Sequence, residues 1–152
     1  MKWIRKDIEQ YIQAKEYIDT LIIPLVPFHL SEDNEVAKHA FQTEVLSHFS
    51  NELEKELSGR VMLTPNYYYL KSVDKEEEIV RINSWVEDTK KQPFNSIFFV
   101  SFDSTWKKYE PSLQGTLLWL PSMLTGDIHS EETNHIIRDQ VKQVSELIRS
   151  FW

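Results

Sequence analysis

Five histidines and no cysteine set the range of side-chain chemistry open to this 152-residue chain. Thiolate nucleophiles, thiolate metal ligands and disulfides are all excluded. Glu35 and His39 stand four apart, as do Glu44 and His48, and Glu131 and His135; Glu132 and His135 form an ExxH pair. A carboxylate and an imidazole one helical turn apart can share a metal ion, as in di-iron bundles. Those sites need four converging helices, and HExxH is absent. The same spacing also serves an exposed helix pair worth a few tenths of a kcal/mol. The surface-pair reading is preferred, so neither metal nor cofactor is expected.

Ser122, His29 and Asp103 supply the three residue types of a serine triad, but no GxSxG elbow surrounds any serine. Gly59, Gly115 and Gly126 are the only glycines and lie far apart, so neither GxGxxG nor GxxxxGK[ST] is present. PLVP (24–27) matches PxxP formally, yet its apolar neighbours predict burial. Tyr67, Tyr68 and Tyr69 could stack on a base; strand alternation instead sends Tyr67 and Tyr69 to one face and Tyr68 to the other. The acidic run DKEEE (74–78) fits a helix start, with Asp74 and Glu77 as a capping pair.

The elements that must position these residues follow from periodicity. Ile4, Ile8, Tyr11, Ile12 and Ile18 recur at helical steps between residues 3 and 18. Residues 20–27 are a short, β-branched apolar run. A long helix then starts near Ser31 and Asp33, shows Ala37, Phe41, Val45, Phe49, Leu53 and Leu57 on one face, and ends at Gly59. RVMLTPNYYY (60–69) reads as the second strand and the next helix runs from Asp74 to Lys91, before Pro93. SIFFVSF (96–102) and TLLWLP (116–121) give strands three and four. A last helix carries Ile137, Val141, Val144, Ile148 and Phe151.

This order, α-β-α-β-α-β-β-α over residues 1–152, predicts a single α/β domain: a three-layer sandwich around a mostly parallel four-stranded sheet. IIPLV, IFFVSF and TLLWL show little alternation, as expected when helices cover both sheet faces. DSTWKKYEPSLQ is short for a crossover, so strand four has an antiparallel as well as a parallel reading. Pro24, Pro27, Pro65 and Pro121 lie at or near strand ends, where a missing amide donor is tolerated; Pro24 disfavours a regular central position for the first strand unless a bulge carries it. In open α/β sheets ligands collect beyond the carboxyl ends of parallel strands. The predicted ends deliver Phe28 and His29, Asn66 and Tyr67, Asp103 and Ser104, and Ser122. The candidate ligand-binding set is therefore His29, Asn66, Tyr67, Asp103 and Ser122.

Seventeen basic and 24 acidic residues give a net charge of −7, which repels nucleic-acid backbones and anionic lipid. No apolar run reaches the roughly 18 residues of a membrane span, and MKWIRKDIEQ lacks a signal-peptide core. A cytoplasmic, soluble protein is the expectation. MKWIRKDIEQYIQAKEYIDTLIIPLVP and GRVMLTPNYYYL resemble the YpiF-type proteins of spore-forming bacilli, over nearly the whole chain. That resemblance implies a bacterial cytoplasmic setting and carries no catalytic or binding residues with it. The preferred function is a non-catalytic domain that binds a protein or a small ligand. The alternative is a small hydrolase or transferase at the strand-end rim, with His29 as general acid or base and Asp103 orienting it. A third reading makes the face bearing Trp106 or Trp152 an oligomer contact. The oligomeric state is left open.

Overall fold

The computed structural model describes residues 1–122 and 126–152. Its elements are α1 (Arg5–Gln13), a 3-10 turn (Lys15–Tyr17), β1 (Thr20–Phe28), α2 (Asp33–Glu56), β2 (Val61–Leu63), β3 (Tyr67–Leu70), α3 (Lys75–Thr89), β4 (Ser96–Ser101), a 3-10 segment (Ser104–Ser112), β5 (Thr116–Trp119) and α4 (Glu131–Ser150). The sheet runs β2-β1-β4-β5, with β3 also bonded to β1. Every strand pairing is parallel, including β4 with β5, which settles the direction of the last strand.

Period-two alternation distributes the apolar runs between two cores. Ile22, Val26, Val61, Phe98, Val100 and Leu118 face α2 and α4. Leu21, Ile23, Leu25, Met62, Phe99 and Leu117 face α1, α3 and the 3-10 segment. Both sheet faces are covered, as the uniform hydrophobicity of the strands predicts.

The proposed second strand is in fact two. β2 pairs with Thr20, Leu21 and Ile22, whereas β3 pairs with Leu25 to Phe28, and Thr64, Pro65 and Asn66 span the gap. The cause lies in β1, which is central and runs through both of its prolines. In a parallel ladder the amide and carbonyl of one residue point to the same neighbour, and those of the next residue to the other. Thr20 donates to the Arg60 carbonyl, the Ile22 carbonyl accepts from Thr64, and the Phe28 carbonyl accepts from Lys71. Even-numbered β1 residues therefore serve the β2/β3 side. The Asp19 carbonyl accepts from Asn95 and Ser96, so odd-numbered ones serve β4. Pro24 withholds a donor on the first side, where β2 gives way to β3. Pro27 withholds one on the second side, where β1–β4 pairing stops at Pro24 and Val100. Continuing that register would aim a residue-27 amide at the Phe102 carbonyl; this carbonyl instead accepts the Trp119 indole N–H at 3.2 Å. A central proline is thus accommodated by interrupting the neighbour, without pushing β1 to an edge.

At the entry to β5, Gly115 lets two chains come close. A Cβ built there would lie 2.7 Å from Cε2 of Phe99 and 2.8 Å from the Ile97 carbonyl oxygen. Because one obstacle is backbone, it cannot rotate away. Gly115→Ala is expected to cost about 1–3 kcal/mol, read as a lower urea midpoint at unchanged m-value. An unchanged midpoint would show that β4 and β5 are not held this tightly.

Candidate functional site

β1 leaves the sheet toward α2 on one face, while β4 leaves toward the 3-10 segment on the other. Neighbouring strands whose connections diverge mark a switch point, and a crevice opens between them. Here it is a hollow of about 270 Å³ lined by Pro27, His39, Gln42, Lys71, Lys75 and Phe102 to Thr105. The volume is just under the range usual for drug-sized ligands, so it suits a small molecule. Pro27 helps to hold it open, since no ladder bond can close β1 onto β4 at that level.

Asp103 organises one wall. Its Oδ1 accepts the Thr105 amide at 3.0 Å and the Thr105 hydroxyl at 2.7 Å. Its Oδ2 accepts the Tyr69 hydroxyl at 2.7 Å and faces the Lys75 ammonium at 3.3 Å. Tyr69 is aligned with Pro27 in the register of β3 on β1, so its hydroxyl reaches across β1 to this carboxylate. The same hydroxyl accepts the Trp106 indole N–H at 2.9 Å. Lys75 is only 8% exposed and lies 4.7 Å from the Tyr69 ring centroid and 5.2 Å from that of Trp106. Burial pushes the Asp103 carboxyl up, but the Thr105 and Tyr69 hydrogen bonds and the Lys75 charge outweigh it and leave the group below the usual aspartate range. Burial and the Asp103 charge push the Tyr69 hydroxyl far up, so it stays a donor.

The facing wall holds a histidine pair. Nε2 of His29 and Nδ1 of His39 are 2.6 Å apart with the rings edge-on, and Nδ1 of His29 is buried without a partner among the described residues. Burial, then the charges of Lys71 and His29, lowers the His39 pKa. Lys71 also pairs with Glu35 at 2.6 Å.

Of the residues expected on the rim, the structure brings Asp103 to the crevice and places His29 just behind it. Asp103 spends its oxygens on Tyr69, Lys75 and Thr105, and His29 on His39; no hydrogen bond joins Asp103 to His29. Asn66 lies in the break between β2 and β3, donating to Ser47 Oγ and the Tyr68 hydroxyl, each at 3.3 Å. Tyr67 is buried under α3, donating to Glu78 at 2.5 Å and packing edge-on against Trp85. Ser122 is exposed past β5 and does not line the crevice. Trp106 is fully buried, which removes it from any oligomer face. Trp152 stacks with Arg60, whose Cζ is 4.1 Å from the ring centroid, and donates to Thr20 at 2.8 Å.

Lys71, Lys75 and Gln42 escaped the sequence reading, and His39 was read only as half of the Glu35–His39 helix pair. Lys71 follows the true carboxyl end of the interrupted strand, four residues beyond Tyr67. Lys75 sits inside the run DKEEE, whose start Asp74 does cap α3 by accepting the Glu76 amide at 3.0 Å. The signal for Lys71 was available, because YYYL keeps strand alternation up to Leu70.

A larger hollow of about 400 Å³ lies between α1 and the end of α3, lined largely by apolar groups such as Ile12, Leu21, Met62 and Phe94. Its charged members Asp88 and Lys91 are exposed and Lys15 is half-buried, while the buried Tyr11 already spends its hydroxyl on Gln92 at 3.1 Å. The switch-point crevice is the stronger site for that reason.

Helices on both faces of an open parallel sheet, with a crevice where the connections diverge, define a doubly wound α/β protein. The chain belongs to the family described as "Protein of unknown function (DUF2487)", whose model matches residues 9–152. It is 28% identical to the uncharacterized protein YpiF of Bacillus subtilis (strain 168), covering 100% of this chain and 98% of that relative. No solved structure matches. The resemblance read from the amino-terminal stretch is thereby confirmed, and neither description assigns a ligand or reaction.

Two consequences of the Asp103 cluster are measurable. Tyr69→Phe leaves the Trp106 N–H without an acceptor and takes a donor from Asp103, so urea denaturation should show a loss of about 1–3 kcal/mol. The folded-state Asp103 pKa is below its unfolded value, so as pH falls the unfolded chain takes up the proton first. Its stabilisation is therefore complete above the ordinary aspartate pKa of about 3.9 and is lost as pH falls through the folded value. Asp103→Asn should flatten that acid limb of stability against pH; an unaltered limb would mean that other carboxylates set it.

Proposed function

We propose that this is a one-domain, cytoplasmic binding protein whose switch-point crevice takes a small oxyanion-bearing molecule, such as a carboxylate or phosphate compound, without turning it over. The observation that carries the reading is the convergence of Lys71, Lys75, Gln42, Ser104 and Thr105 on one small hollow. Lys71 and Lys75 each have three N–H donors, and their carboxylate partners Glu35 and Asp103 leave some of these for a ligand. The acid–base alternative has less support. His29 and Asp103 are engaged with other partners, and the Tyr69 hydroxyl is held protonated, away from the role of a base.

Among the described residues no helix is long and apolar enough to cross a membrane. The net charge of −7 gives an anion no steering from beyond the Debye length of about 8–10 Å, so selectivity has to come from contacts inside the crevice.

Amide NMR titrations with inorganic phosphate and with malonate are the test. Saturable shifts are expected at Gln42, Lys71, Lys75, Ser104 and Thr105 for at least one of the two. Gln42→Trp, which fills the hollow from α2, should weaken that binding by at least tenfold. Shifts gathered around Ile12 and Phe94, or shifts that Gln42→Trp leaves unchanged, would reject the crevice as the site.

A further inference from the structure

The most unusual contact in the molecule is the one between two imidazoles. Nε2 of His29 and Nδ1 of His39 face each other at 2.6 Å, shorter than an ordinary N–H hydrogen bond. Only one of the two nitrogens can carry a proton there. Glu35, one turn before His39 on α2, brings a carboxylate oxygen to the same place: one ligand atom from each of the three residues lies within 4.8 Å of the others. His29 is 8% exposed, and its Nδ1 has no partner among the described residues, none of which fixes its tautomer from that side. With Nδ1 unpartnered, the ring can carry its hydrogen there and turn the Nε2 lone pair toward whatever sits between the rings.

We infer that His29, Glu35 and His39 form a binding site for one divalent transition-metal ion of the zinc class, with its fourth position open to the switch-point crevice. Two imidazoles select such ions over magnesium or calcium, which prefer all-oxygen shells. Two histidines and a glutamate with one open position is a known zinc arrangement. Around a tetrahedral ion with bonds of about 2.0–2.1 Å, ligand atoms stand about 3.3–3.4 Å apart. The imidazole nitrogens must separate by about 0.7 Å, and Glu35 must swing inward. Glu35 has room to do so, since its carboxylate is partly exposed and rests between Lys71 and the Glu32 side chain, with no other element packed over it.

The proton balance closes without any co-reactant. In either tautomer one N–H lies between the rings; the ion takes its place when that hydrogen moves to the other nitrogen of the same ring. No net proton is released. The Lys71 ammonium opposes the ion electrostatically and the Glu35 carboxylate offsets that repulsion, so affinity should depend on that carboxylate. His39 and Lys71 also line the crevice, so an ion here would complete its wall. What fills the fourth position rests on the oxyanion reading of the crevice; the three-ligand site does not.

Cobalt(II) is the probe, because its visible spectrum distinguishes tetrahedral from octahedral coordination. One equivalent should produce the intense tetrahedral bands, and one equivalent of zinc should abolish them and raise Tm. His39→Ala should lower affinity at least a hundredfold and Glu35→Gln about tenfold. His135→Ala, which removes an exposed imidazole, should change nothing. Far-UV circular dichroism checks that the variants fold, and Glu35→Gln is a surface change that gives an independent reading if His39→Ala does not. Weak octahedral bands, no one-equivalent end point, or tetrahedral bands that survive both His39→Ala and Glu35→Gln would overturn the site. Phosphate added to the cobalt form separates the two claims. Unchanged tetrahedral bands on phosphate addition would leave the metal site standing and count against the oxyanion, whereas phosphate shifts without a cobalt spectrum would do the reverse.

Discussion

Two missing amide protons in β1 govern this fold. Pro24 and Pro27 are three positions apart, so in a parallel strand they face opposite neighbours. Each deprives one side of a ladder bond worth about 0.5–1.5 kcal/mol net. On one side the neighbour is cut into β2 and β3. On the other, β4 parts from β1 after Val100 and a crevice opens. The stretch LIIPLVPFHL thus acts both as a buried central strand and as the lip of a site.

Around that opening, charge is neutralised locally. Asp103 is balanced by Lys75 and by hydrogen bonds from Tyr69 and Thr105; Glu35 is balanced by Lys71. The two pairs differ in kind. The Asp103 cluster is largely buried and fixed by aromatic rings, so breaking it exposes an uncompensated buried charge. The Glu35–Lys71 pair is half-exposed and weak, which leaves its members available for rearrangement. One wall is rigid and the other adaptable.

Much of this was legible in the sequence. Helical periodicity found the four α-helices of the described residues, and unbroken apolar runs foretold a sheet covered on both faces. The direction of β5 was not legible, because the 3-10 segment packs a parallel crossover into nine residues that show no helical pattern. Asn66 and Tyr67 were placed on the rim because Pro65 looked like the end of a strand, when it marked a break in the middle. Lys75 drew no separate reading because it sits inside the acidic helix start DKEEE; its burial depends on Trp106, far along the chain, packing beneath it. Glu35 and His39 could be read as a pair from spacing alone. Their third member, His29, could not, because it approaches from β1 through a strand–helix turn that no periodic rule describes.

Amide hydrogen exchange at position 27 of a Pro27→Ala variant addresses the governing constraint most directly. If the absent donor keeps β1 and β4 apart, the amide that alanine introduces there will pair with the Phe102 carbonyl, exchange slowly, and draw the strands together. An introduced amide that exchanges as freely as an exposed loop, with the surrounding resonances unmoved, would mean that something other than Pro27 opens the sheet there.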